Sequence, residues 1–268
     1  MSLLLERASL KLGGKAILQD IDLQLAQGEQ VALIGPSGAG KTSLLGLANS
    51  AHRQDSGRVT LLGQQPAQLG ASALKALRSD IGTVYQVPPL PGRQRAIHAV
   101  AAGQLARQPL WRSLLDLWWP AQTPAVAGCL TRVALPEVLY QRCGELSGGQ
   151  RQRVGIARML YQAPHLLLAD EPVSALDPVQ GRQMLRVLQD DARSRNATLL
   201  VSLHAVDLAL ELFPRIIGLR QGRILFDLPA ADVTPALLQA LYAGEVSEAA
   251  PVVDIPVFTG SNVSGPRC

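Results

Sequence analysis

The sequence predicts an α/β fold built on a doubly wound, mainly parallel sheet, and three observations predict it. Short, largely apolar runs at 31–34, 166–169 and 198–203 suit strands buried on both faces, as parallel strands are. Segments with helical spacing lie between them, such as Met184, Leu185, Val187 and Leu188 after Pro178. The runs end at Gly35, Asp170 and His204, and open α/β sheets bind their ligands at the C-terminal ends of such strands.

Each element follows in chain order. Ile21, Leu23 and Leu25 alternate with Asp20, Asp22 and Gln24, the period of two expected of a half-wet antiparallel strand, so an antiparallel β portion begins the chain. Val31, Ala32, Leu33 and Ile34 form the first buried strand and lead into Gly35. From about residue 87 to 163 no buried strand is evident, while Leu, Ala and Trp recur at helical spacings, which predicts a helical insertion into the α/β core. Gln221 and Gly222 form a turn between two β-like runs. After Gly244 the chain is rich in Pro, Gly, Ser and Val, and this tail is expected to be mobile.

Composition removes several classes of function. The 268 residues are 47% hydrophobic and 17% charged, so most of the chain has the means to fold. The net charge is +4 and the pI about 9.2, yet basic residues come singly or in pairs such as Arg151 and Arg153, and no basic arm for nucleic acid is present. Aromatic residues at 4% offer no platform for stacking bases. Cys129, Cys143 and Cys268 have neither disulfide nor metal spacing, and the N-terminus lacks a signal-peptide pattern, so reduced thiols in a cytoplasmic chain are expected. The longest uncharged stretches, 59–74 and 117–131, are broken by Gln, Gly or Pro, so any membrane role is expected to be peripheral.

Gly35, Pro36, Ser37, Gly38, Ala39, Gly40, Lys41 and Thr42 match the pattern G-x-x-x-x-G-K-[ST], with a buried strand before it and Leu44, Leu45 and Leu47 after it. The glycines let the backbone wrap phosphate oxygens, so the amides from Ser37 to Ser43 and a helix N-terminus can solvate negative charge. Lys41 adds a cation beside the β and γ phosphates, and the Thr42 hydroxyl suits Mg²⁺, which needs few protein ligands.

Asp170 and Glu171 close the second buried run as adjacent carboxylates that point in different directions. One can serve a metal through water, and the other can polarise the water that attacks phosphorus. Leu146, Ser147, Gly148, Gly149 and Gln150 precede an amphipathic stretch from 151 to 160; Ser147 can cap that helix, and the glycines expose amides at a second anion site.

With the phosphate loop, this pentapeptide resembles the signature of ATP-binding cassette ATPases, and the resemblance covers residues 1–243. It implies a P-loop NTPase cassette whose RecA-like parallel core occupies 1–86 and 164–244. An N-terminal antiparallel β subdomain and a helical subdomain inserted at about 87–163 complete it, with a tail at 245–268. The resemblance implies ATP and Mg²⁺ as cofactors and a head-to-tail homodimer in which Gly148 and Gly149 face the partner's nucleotide. It assigns Gln86, after the strand at 81–85, to Mg²⁺ or water, His204 to the γ-phosphate, and Asp177 to a loop at the dimer seam. Asp177 before Pro178 is also an ideal helix start, N-cap then N1. Leu12 stands where the family commonly stacks an aromatic ring on adenine, a departure that predicts looser nucleotide binding.

Residues 108–115 with Trp118 and Trp119, together with 168–178, 201–208 and 216–227, are similar to the ATPase subunits of bacterial phosphonate importers. That likeness implies a membrane permease, a periplasmic or surface solute-binding protein, and a peripheral position on the cytoplasmic face of the cell membrane. Polar amino acids or another small solute are the alternative cargo. The tryptophans read either as core of the helical subdomain or as part of the surface that receives a permease helix. Val87, Pro88, Pro89, Leu90 and Pro91 depart from the family's usual polar and aromatic stretch. A soluble cassette acting on nucleic acid is disfavoured, because the chain has one phosphate loop and no heptad run.

Overall fold

The structure is a computed structural model and describes residues 1–107 and 123–243. The tryptophan-bearing segment 108–122 and the tail from residue 244 lie outside the described residues, and with them the expectations placed there, including those on Trp118, Trp119 and Cys268.

Strands β1 (Leu3–Leu12), β2 (Lys15–Leu25) and β4 (Ser56–Leu61) form an antiparallel sheet in the order β2-β1-β4. Its alternation is the expected one, with Ile21, Leu23 and Leu25 buried and Asp20, Asp22 and Gln24 exposed. The second sheet takes β3 (Gln30–Ile34), β5 (Ile81–Val84), β6 (Leu166–Asp170), β7 (Thr198–Ser202), β8 (Arg215–Arg220) and β9 (Arg223–Pro229) in the order β5-β6-β7-β3-β8-β9. Every pairing in it is parallel except β8 with β9. The two-residue turn explains that reversal: Gln221 and Gly222 both have positive φ, 48° and 74°, as a tight hairpin turn requires.

Both faces of this sheet are covered, and neighbouring residues of one strand serve opposite faces. Val31 and Leu33 pack with Leu44, Leu166, Leu168 and the antiparallel sheet. Ala32 and Ile34 pack with Leu167, Ala169 and the helices of the inserted segment. A fully buried leucine contributes about 1.5–3 kcal/mol relative to an exposed one, so the unbroken runs are what a sheet covered on both sides requires.

The helices are α1 (Lys41–Ala48), α2 (Ala71–Ser79), α3 (Ala96–Ala101), α4 (Thr123–Arg132), α5 (Gly148–Gln162), α6 (Pro178–Ser194), α7 (Val206–Leu212) and α8 (Pro235–Tyr242). Among the described residues from 87 to 163 there are helices and short 3-10 turns and no strand. α5 is capped by Ala163, whose φ is 49°, just before Pro164, and Gln162 Nε2 donates to the carbonyls of Ser79 and Ile81, tying the helix to the start of β5. Among the described residues no helix is long and apolar enough to cross a membrane.

The order β5-β6-β7-β3 sets four strand ends side by side. Gln86 follows the first, Asp170 ends the second, Ser202 ends the third, and the phosphate loop follows the fourth. The strand before Gln86 stops at Val84, one residue short of the expected end.

Candidate functional site

The phosphate loop leaves β3 at Gly35, where a Cβ would lie 2.1 Å from the Leu219 carbonyl oxygen, so no side chain fits. The β8–β9 turn supports the loop from beneath: Gly222 N donates to Ala39 O at 3.0 Å. Lys41 is buried and folds back along the loop, its Nζ donating to Gly35 O at 2.7 Å and Pro36 O at 3.1 Å. α1 starts at Lys41 with Gly40 as its N-cap and no side-chain cap, which leaves its first-turn amides facing the loop. A Cβ at Gly38 would meet nothing within 4 Å, so the loop opens on its outer side at that point. Ser37 and Thr42 are exposed there, while Ser43 is half-buried at the first turn of α1. This is a cradle for phosphate in shape and polarity.

Next to it, β6 and β7 pair Asp170 with Ser202 in register. The fully buried Ser202 hydroxyl donates to Asp170 Oδ1 at 2.7 Å, and Ser202 Oγ and O accept the Glu171 amide at 3.0 and 3.2 Å. Glu171 has a φ of 47°, a left-handed conformation rare for a residue with a side chain. The turn sends its carboxylate between two neighbours: Gln86 Nε2 donates to Oε2 at 2.8 Å, and His204 Nε2 lies 2.6 Å from Oε1. The structure thus brings Gln86, Asp170, Glu171 and His204 to one end of the sheet. A cavity of about 450 Å³ opens beside Glu171 and His204, bordered also by Ser174, Leu176 and Asp177.

The donors suit a hard cation. The Thr42 hydroxyl, the Asp170 carboxylate and the Gln86 amide oxygen are oxygen ligands of the kind Mg²⁺ takes. Among the described residues no group of three or more His, Cys, Asp or Glu gathers as a metal site.

The remaining candidates sit elsewhere. Ser147 caps α5 in a full capping box, Gln150 N donating to Ser147 Oγ at 3.2 Å and Ser147 N to Gln150 Oε1 at 2.9 Å. Gly148 and Gly149 form the first turn of that helix against the loop at 174–177, where a Cβ at Gly149 would come within 3.0 Å of Ala175 O and Leu176 Cδ2. Asp177 Oδ1 caps α6, accepting from Val179 N at 3.0 Å and Gln180 N at 2.9 Å. Leu12, 39% exposed, ends β1 at the hairpin that abuts the phosphate loop, where Leu18 Cδ2 would lie 2.9 Å from a Cβ at Gly40.

Three residues of the site went unassigned by the sequence. Ser202 was visible only as a polar end to an apolar strand, and Gly222 only as a turn residue. Gln152, which donates to Glu171 O at 2.9 Å, carried no local signal at all.

The sequence profile of the ABC transporter family matches residues 18–174. The phosphonates import ATP-binding protein PhnC 1 of Pseudomonas aeruginosa is 57% identical over 236 residues, 88% of each chain. The phosphonates import ATP-binding protein PhnC of Pseudomonas fluorescens is 49% identical over 269 residues, the full length of both. Among solved structures, a dimeric bacterial ABC transporter cassette superposes with a TM-score of 0.75 at 27% identity, over 85% of this chain and 98% of that one. An ATP-binding subunit of an ABC transporter reaches a TM-score of 0.76 at 21% identity, over 92% and 100%, a likeness of fold. The phosphate loop, the paired carboxylates and these matches together establish that the chain belongs to the ABC transporter family, as an ATP-hydrolysing cassette.

Proposed function

We propose that this cassette energises the import of phosphonate or a related phosphorus oxyanion through a membrane permease. The cargo reading rests on relatives named for phosphonate import that are 49–57% identical over 88–100% of this chain. The observation that carries the chemistry is the Glu171 carboxylate held between Gln86 and His204 beside Asp170.

In this reading the loop amides and Lys41 bind the β and γ phosphates of ATP, and Leu12 packs against the base. Thr42, Asp170 and Gln86 would hold Mg²⁺, which would supply neutralisation of phosphate charge. The Glu171 carboxylate orients a water for in-line attack on the γ-phosphorus and accepts its proton, while His204 steadies the γ-phosphate. Phosphate and ADP leave. Ser147, Gly148, Gly149 and Asp177 meet the nucleotide or loops of a second copy across a homodimer.

A groove of about 460 Å³ between the core and the inserted helices fits a permease segment on the cytoplasmic face of the cell membrane. Tyr85, Pro88, Pro89 and Leu90 line it with Arg158, whose guanidinium burial pushes below its ordinary range. Pro88, Pro89 and Leu90 of the run from 87 to 91 give that groove a proline-rich wall. A solute-binding protein outside the membrane would deliver the cargo.

The test is growth of a deletion strain on phosphonate, phosphite or phosphate as sole phosphorus source, complemented with wild type or Glu171→Gln. Rescue on phosphonate or phosphite by wild type alone is the expected result. Growth on all three without the gene refutes the cargo, and rescue by Glu171→Gln refutes the role of that carboxylate.

A further inference from the structure

Glu171 carries its carboxylate on a residue that belongs to no regular element. It lies one residue beyond the end of β6, in the left-handed region at φ 47°, immediately before Pro172. Such a conformation persists only where surrounding groups over-determine it. Its amide is fixed by Ser202, on β7. Its carbonyl accepts from Ser174 N, within the same turn, at 3.2 Å. The remaining bond comes from outside the sheet altogether, from Gln152 on α5.

Gln152 is 1% exposed, and both ends of its amide are engaged. Nε2 donates to Glu171 O at 2.9 Å and lies 3.4 Å from Ser174 Oγ, while Oε1 accepts from Ala175 N at 3.0 Å. A buried glutamine on the polar-rich N-terminal half of a helix has no packing advantage over leucine or methionine, and its satisfied amide specifies a geometry instead. It sits one turn after Gly148 and Gly149, on the helix whose N-terminus borders the loop at 174–177. No side chain of the sheet reaches the same carbonyl in the described bonds.

We propose that Gln152 is a positioning residue: it ties the Glu171 main chain and the loop at 174–177 to α5, so that the seating of α5 sets where the Glu171 carboxylate stands. The inference rests on Glu171 being the carboxylate that orients water, and it adds a route from the Gly148–Gly149 end of the helix to that carboxylate. Gln152 acts on the reaction through the Glu171 main chain and the 174–177 loop, which its amide holds.

The test compares the full-length wild type, Gln152→Met, Gln152→Asn and Glu171→Gln for kcat, KM, equilibrium ATP affinity and melting temperature. Methionine keeps the length and apolar stem while removing the amide's hydrogen bonds, and asparagine keeps a neutral amide withdrawn by one methylene. Loss of placement of a reacting group is expected to lower kcat about ten-fold or more in both variants, with ATP affinity held within about two-fold. Adding Gln152→Met to Glu171→Gln is expected to reduce the residual rate no further, because the carboxylate to be placed is already gone. If both Gln152 variants keep the wild-type kcat while Glu171→Gln is inactive, the positioning role is overturned and the Glu171 reading stands. Wild-type turnover in Glu171→Gln overturns the reading beneath it. A fall in kcat matched by equal losses of ATP affinity and melting temperature in both variants makes Gln152 a packing residue, and likewise overturns the proposal.

Discussion

Leu12 and Ser202 stand at opposite extremes of what a residue can disclose in isolation. Leu12 ends a strand beside the phosphate loop and is exposed enough to meet a ligand, but its aliphatic surface lacks the flat face and quadrupole that stack on a purine. Leu12→Tyr is expected to tighten ATP binding about five-fold, the size of one aromatic stacking interaction, measured by nucleotide titration of the full chain. Unchanged affinity would mean that the base does not rest on this hairpin. Ser202 joins the two carboxylate-bearing residues, donating to Asp170 and accepting from the Glu171 amide. The family resemblance singles out Leu12, and the sequence pattern reaches Gly35, Lys41, Asp170 and Glu171 because each lies in a short motif. It does not reach Ser202 or Gln152, whose partners are 32 and 19 residues away and meet only once strands and helices are in register.

At the scale of elements, the strands of the parallel sheet are legible because burial on both faces demands runs without polar interruption. The second half of β2 is legible from its alternation, whereas its partner β1 is not. Less visible is that the β8–β9 hairpin supports the phosphate loop. A turn signal says that the chain reverses at Gln221 and Gly222, but not that the reversed chain comes to rest under the phosphate loop. There a Cβ at Gly222, φ 74°, would lie 2.1 Å from Ile17 O, and the Gly222 amide holds Ala39 O. Gly222→Ala is therefore expected to cost about 2 kcal/mol or more of stability and to weaken ATP binding. Gly63 is the control: its φ is 78°, yet a Cβ there meets nothing within 4 Å. Gly63→Ala should lose only the backbone term, about 1 kcal/mol, and leave ATP affinity unchanged. Urea denaturation and nucleotide titration of the two variants separate clash from conformation. Equal losses in both would remove the hairpin from the site.

At the scale of the whole molecule, the inserted helices share one hydrophobic core with the sheet, and their ionic ties to it gather at the end remote from the site. Arg107 Nη2 meets Asp80 Oδ1 at 2.7 Å just before β5 begins, and Arg132 Nη1 meets Asp191 Oδ1 at 2.8 Å. Arg195, shortly before β7, holds the second oxygen of Asp191 and also donates to Pro164 O ahead of β6. These ties flank the N-terminal ends of the parallel strands, whereas Gln86, Glu171, His204 and the phosphate loop follow the C-terminal ends. The inserted segment is thus pinned by charge at one end, and at the other it touches the core through the 174–177 loop and Gln152. Asp191 is buried but its two arginines are partly exposed, so water can re-solvate them when the carboxylate is removed. Asp191→Ala is expected to cost about 2 kcal/mol, less than breaking a fully buried pair. Because the tie lies away from the chemistry, kcat at a temperature well below melting should stay at the wild-type value. Urea denaturation with steady-state ATP hydrolysis on the same preparation checks both. If stability falls and kcat falls with it, the ionic end sets the angle at which α5 reaches Glu171, and the helices move as one lever from Asp191 to Gly148. If kcat holds, the two ends of the inserted segment act separately, and the Asp191 tie has no part in seating the carboxylate.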